Sequence, residues 1–151
     1  MLKKTIKYTN FFDEEVSEDF YFNYTKAELM DKQYSVNGGF TNMLTMLLGS
    51  RDENTMYDVV KKLILGSYGV VSSNGRDFIK TEEQTAAFSH SEAYSNLFME
   101  IINSSDAALA FLVGILPKDV AKDINVNDVK AAMDEASKTG KPVTMLPVKS
   151  K

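Results

Sequence analysis

The sequence predicts an α+β fold that is mostly α, with an N-terminal antiparallel β-hairpin followed by a small bundle of about five to six helices and a flexible C-terminal tail. Three observations carry this. Phe20, Phe22 and Tyr24 alternate with Asp19, Tyr21 and Asn23 at the period of a half-buried strand. Thr25-Lys26-Ala27-Glu28 follows with no linker and has the spacing of a capping box, in which threonine and glutamate each satisfy a backbone N–H of the other. Further on, apolar residues recur at i, i+3, i+4 and i+7 in several short blocks, the spacing of one helix face.

Taken in order, Lys4 to Thr9 alternates and pairs with Phe20 to Tyr24 across a polar loop, Asn10 to Ser17. A short helix runs from Thr25 to about Lys32, and Asn37-Gly38-Gly39 breaks the chain. Phe40, Met43, Leu44, Leu47 and Leu48 form one helical stripe closed by Gly49, and Met56, Val59, Val60, Leu63 and Ile64 form a second. Gly66, Gly69 and Asn74-Gly75 predict a loop from Gly69 to Lys80 with a short extended segment at Arg76 to Ile79. Thr81-Glu82-Glu83-Gln84 is a second capping box opening a helix through Phe88. Ser91-Glu92 starts what is expected to be the longest helix, with Tyr94, Leu97, Phe98, Ile101 and Ile102 on its stripe. Asn103 to Asp106 interrupts it, and an apolar helix from Asp106 to Leu116 is stopped by Pro117.

Beyond Pro117 the aromatics vanish and the apolar stripe thins to Val126, Val129, Met133 and Ala136. So little apolar area offsets little ordering entropy. The expected division is a hairpin plus helical-bundle domain over 1–117 and a flexible, lysine-rich tail over 118–151, with at most a marginal helix capped by Asn127-Asp128.

Net charge is −4, unevenly placed: seven lysines against five acids after Pro117 leave −6 on the preceding part. With a pI near 5.0, no basic stripe suits a phosphate backbone, so nucleic acid is not an expected partner. The apolar run Ala107 to Leu116 is half of the roughly 20 residues a membrane span requires. No membrane partner or secretory signal is expected, and the absence of cysteine suits a reducing compartment.

No constellation predicts chemistry. His90, between two serines before a helix start, is expected to be a solvent-exposed linker residue with no nucleophile beside it. Glu82-Glu83 occupies a helix's first turn, where acids suit the macrodipole, and Asp13-Glu14-Glu15 lies in the hairpin loop. The glycines lack the lysine and preceding strand of a phosphate-binding loop. The expectation is no enzyme, cofactor or metal. Binding is favoured by methionines that adapt to irregular surfaces. Met43, Met56 and Met99 sit with apolar stripes and are favoured for the core, whereas Met30 and Met46 are better placed for contact.

Lys4 to Thr9, Glu18 to Asn23 and Thr25 to Leu29 together resemble the opening of the tail assembly chaperones of long-tailed, siphovirus-type bacteriophages and prophages of Gram-positive bacteria. Leu63-Ile64-Leu65, Ser67 to Val70, Asn74-Gly75-Arg76 and Phe78-Ile79-Lys80 are similar to a second block of that family. Ser91 to Glu100 and the alanine-rich Ala107 to Pro117 are similar to a third. The likeness runs from Met1 to about Pro117.

The resemblance implies a non-enzymatic factor in the host cytoplasm that binds the tape-measure protein, keeps it soluble, supports assembly of tail-tube subunits and is displaced before the virion is complete. Partner helices are expected to lie in apolar grooves of the bundle, with Met30, Met46, Leu47, Tyr68 and Met99 as candidate contact residues and with several copies associating along one partner. Two other classes are open: a small acidic regulator or inhibitor of a host protein, marked by a salt-sensitive complex, and a structural tail completion protein, marked by its presence in virions.

Overall fold

The computed structural model describes residues 1–31 and 53–123. Strands β1 (Leu2–Thr9) and β2 (Glu15–Phe22) pair antiparallel from Leu2 opposite Phe22 to Thr9 opposite Glu15. The connecting turn is shorter than the loop expected from Asn10 to Ser17, and Asn10 is the reason. Its Oδ1 accepts the N–H groups of Phe12 at 2.9 Å and Glu14 at 3.0 Å, while its own N–H donates to the Glu14 carbonyl at 2.9 Å. These side-chain-to-backbone bonds close the turn early and allow Glu15, Val16 and Ser17 to pair.

The capping box forms as expected. The Thr25 N–H donates to Glu28 Oε1 at 2.9 Å and the Glu28 N–H donates to Thr25 Oγ1 at 3.2 Å, starting α1 (Lys26–Asp31). The helix expected over Phe40 to Leu48 lies outside the described residues, as do Met43, Met46 and Leu47.

Helix α2 (Glu53–Ser67) passes straight into β3 (Tyr68–Val71), which turns through 72–77 into β4 (Phe78–Ile79). The result is a four-stranded sheet of order β1-β2-β3-β4 with every neighbouring pair antiparallel. The expected loop over Gly69 to Lys80 is therefore a second hairpin. A helix can switch to a strand without a linker only if its last carbonyls find partners, and here they do. Ser67 Oγ donates to the carbonyls of Leu63 at 2.7 Å and Ile64 at 3.1 Å, Lys80 Nζ donates to that of Gly66 at 2.8 Å, and the Asn23 N–H donates to that of Ser67 at 2.8 Å. Tyr68 and Gly69 then fall opposite Phe22 and Tyr21. The turn signal at Asn74-Gly75 is realised: Gly75 adopts φ +73, and Asn74 Oδ1 accepts the Arg76 N–H at 2.9 Å.

Helices α3 (Glu82–Ser89), α4 (Glu92–Asn103) and α5 (Ser105–Gly114) start at Thr81, Ser91 and Ser104, whose side chains accept the N–H three residues on. At Thr81 only half of the box forms, since Gln84 Oε1 is buried without a hydrogen-bond donor. Helix α4 has 12 residues and α2 has 15, so the helix opening at Ser91 is not the longest; the Ser67 hydroxyl and Lys80 let α2 continue through Gly66. After Pro117 comes α6 (Lys118–Asp123), whose Val120 and Ala121 pack against the core and whose Asp119 pairs with Lys26 of α1.

One face of the sheet meets the helices. Ile6, Phe22 and Tyr24 join Leu29, Ile64, Phe88, Leu97, Ile101, Phe111 and Ile115 in one core. Aromatic rings knit it together: Tyr68 stacks on Phe88 at 4.4 Å, and Phe22 meets Phe111 edge-on at 5.3 Å. Helix α4 lies along β1, where Lys4 Nζ meets Glu100 Oε2 at 2.8 Å and Asn96 Nδ2 donates to the Lys7 carbonyl at 3.0 Å.

Candidate partner-binding surface

Polar chemistry is concentrated at Lys80. Its ammonium donates to Glu28 Oε2 at 2.6 Å, the Asn23 carbonyl at 2.7 Å and the Gly66 carbonyl at 2.8 Å, and it stands 4.6 Å from the centre of the Tyr24 ring. Burial raises the pKa of Glu28, but the hydrogen bond from Lys80, those from Thr25 and the lysine charge together bring it below the ordinary glutamate value. The ammonium protons are directed at protein acceptors, so Lys80 crosslinks the exits of β2 and α2. An open depression of about 600 Å³ lies beside it, bordered by Glu28, Lys62, Leu65, Glu82 and Ala86.

Among the described residues, no group of three or more His, Cys, Asp or Glu side chains is placed to hold a metal ion. His90 is exposed and ends α3, its backbone N–H directed at the Ala86 and Ala87 carbonyls. Glu82 and Glu83 are exposed in the first turn of α3, and Asp13, Glu14 and Glu15 are exposed at the β1–β2 turn.

Of the five candidate contact residues, Met46 and Leu47 lie outside the described residues. Met30 is 66% exposed near the end of α1. Met99 is 49% exposed, which corrects its expected place in the core. The buried stripe of α4 is Ala93, Leu97 and Ile101, and Met99 lies about 200° around the helix from Leu97. The side chain of Met56, expected in the core with it, is not among those described. Tyr68 is half-buried, its ring packed among Phe20, Phe22 and Phe88; burial, and then the charge of Glu18, raise its pKa. Met30, Tyr68 and Met99 thus come from α1, β3 and α4.

Other exposed apolar side chains escaped the sequence reasoning. Phe11 and Phe12, 74% and 85% exposed, stand at the β1–β2 turn. The signal was present: two adjacent phenylalanines inside a segment otherwise read as polar loop. Val70 and Ile79, direct cross-strand partners, are also exposed, as is Tyr57, whose ring meets Phe98 at 6.2 Å. No helix among the described residues is by itself long and apolar enough to cross a membrane.

Comparison with curated proteins and with solved structures returned no match. A family model described as phage tail assembly chaperone matches residues 1–149, which takes in every element from β1 to α6. That span is nearly the whole sequence, and the chain belongs to the phage tail assembly chaperone family.

Proposed function

We propose that this chain is a non-enzymatic chaperone that binds the tape-measure protein in the host bacterial cytoplasm, keeps it soluble while tail-tube subunits assemble, and is displaced before the virion is complete. The observation that carries this reading is the family match over residues 1–149. Physical chemistry makes the partner reasonable. A long chain bearing apolar helical stripes aggregates unless another apolar surface covers it.

Exposed Met30 and Met99 and the Val70–Ile79 pair supply modest apolar contacts spread over several elements rather than one deep pocket. Many weak contacts suit a partner that must later be released. A net charge of −4 keeps such a complex soluble, and several copies along one extended partner would touch their neighbours.

The test is co-expression with the tape-measure gene. The tape-measure protein is expected to move from the insoluble to the soluble fraction and to co-purify with this chain in a salt-tolerant complex. Unchanged solubility would remove the proposal, and so would finding this chain in purified virions by mass spectrometry.

A further inference from the structure

We propose that the tip of the β1–β2 hairpin is the docking element for the tape-measure chain, with Phe11 and Phe12 entering an apolar cleft whose rim is lysine or arginine. The partner's identity rests on the function proposed above; the surface and its chemistry rest on the hairpin itself. Phe11 and Phe12 are the most exposed of the large apolar side chains among the described residues, and they are adjacent.

The turn that carries them is held in one conformation. Asn10 Oδ1 binds the Phe12 and Glu14 N–H groups, the Asp13 N–H donates to the Asn10 carbonyl at 3.0 Å, and Asp13 adopts the left-handed region at φ 63. Aromatic side chains on a pre-formed turn lose little freedom on binding, which favours an anchor over a disordered loop.

Charge selects the partner. Asp13, Glu14 and Glu15 stand at the tip, and Glu18 lies further down β2 opposite Ile6, with Lys7 as the one cation between residues 7 and 18. The three carboxylates at the tip repel an anionic lipid surface and a nucleic-acid backbone, and complement a basic rim on a protein. Below the tip, Lys7, Tyr8, Thr9, Glu15, Val16 and Ser17 border a shallow depression of about 410 Å³ that accommodates the lip of such a cleft.

The experiment compares the full-length chain with F11S/F12S and D13N/E15K in co-purification with the tape-measure protein. Glu14 is spared because its Oε1 accepts the Asn10 side-chain amide at 3.0 Å, and asparagine tolerates the left-handed conformation at residue 13. Both variants are expected to keep the wild-type circular dichroism and Tm, because the altered side chains face solvent. F11S/F12S is expected to co-purify at about a tenth of the wild-type amount or less at low and high salt alike. D13N/E15K is expected to fall below wild type at low salt only, because salt screens exposed charges and not apolar anchors. If wild type co-purifies and the variants do so equally, the hairpin proposal fails while the chaperone function stands. If wild type itself does not co-purify, the function fails and the proposal falls with it. A drop in Tm of either variant would make the tip structural and overturn the proposal. A phenylalanine-dependent dimer in sedimentation, or phenylalanine-dependent pelleting with phosphatidylcholine or phosphatidylglycerol vesicles, would assign the tip to a second copy or to lipid and overturn it as well.

Discussion

The Lys80 ammonium lies 2.6 Å from the Glu28 carboxylate, and the same carboxylate closes the capping box with Thr25. One lysine after β4 therefore fixes the start of α1, 52 residues earlier in the chain. Replacing it with methionine keeps the aliphatic stem beside the Tyr24 and Phe78 rings but removes the donor to Glu28 and to the Asn23 and Gly66 carbonyls. The pair is only partly buried, so Lys80→Met is expected to cost about 1–3 kcal/mol in urea denaturation. Lys3→Met, whose exposed partner Asp19 lies 3.6 Å away, should cost clearly less. Equal losses from the two would remove the crosslinking role of Lys80.

The same carboxylate sets a pH dependence. Because Glu28 has a lower pKa folded than unfolded, its contribution is complete above the unfolded glutamate value, roughly pH 4 to 4.5, and is lost as pH falls through the lower native value. Asp19, held low by the Thr5 hydroxyl, and Asp119, held low by the hydrogen bond from Lys26, titrate in the same direction at the surface. The informative quantity is thus the stability difference between wild type and Glu28→Gln. Urea midpoints from about pH 7 to about pH 3 should show that difference constant at first and shrinking only below the ordinary glutamate range. A difference unchanged down to the lowest pH would contradict the lowered pKa.

What the sequence made legible is what it encodes within a few residues. Thr25 with Glu28, Ser91 with the Tyr94 N–H, and Gly75 at positive φ were all readable, because each signal and its partner lie within one turn of chain. The β2–β3 pairing was not, since Tyr21 opposite Gly69 is a long-range choice that depends on Lys80 and Asn23 satisfying the end of α2. The exposed apolar surface is partly legible. Met30 is readable as exposed because it stands outside any stripe, whereas Met99 lies beside apolar neighbours on a helix whose buried stripe is narrower than its apolar spacing. Phe11 and Phe12 are masked by the polar residues on both sides of them, Asn10 and Asp13 to Glu15.

Gly66 tests the junction of α2 and β3. Alanine is intrinsically better than glycine in a helix by about 1 kcal/mol, yet a Cβ here would fall well inside contact distance of the Tyr24 hydroxyl, and Tyr24 is fully buried. The clash should win, so Gly66→Ala is expected to destabilise by roughly 1–3 kcal/mol. Removing the hydroxyl should relieve most of it. In a double-mutant cycle with Tyr24→Phe, a coupling of at least about 1 kcal/mol favouring the double variant is expected. Additive losses would show that the close approach is absorbed elsewhere.

Helix α4 allows burial and contact to be separated within a single element. Leu97 is 1% exposed and faces the core beside Ile101, whereas Met99, two residues on, is 49% exposed. Leu97→Ala removes buried methyl groups and leaves a cavity, at an expected cost of about 2–5 kcal/mol. Met99→Ala leaves no buried void and should stay within about 0.5 kcal/mol of wild type. Binding should separate the two in the opposite sense. Under conditions where both variants are folded, Met99→Glu is expected to reduce co-purification of the tape-measure protein, since a carboxylate at an apolar contact must be desolvated without a partner, while Leu97→Ala leaves it unchanged. Retained binding by Met99→Glu would exclude this face of α4 from the contact surface and leave the partner to the remaining exposed elements.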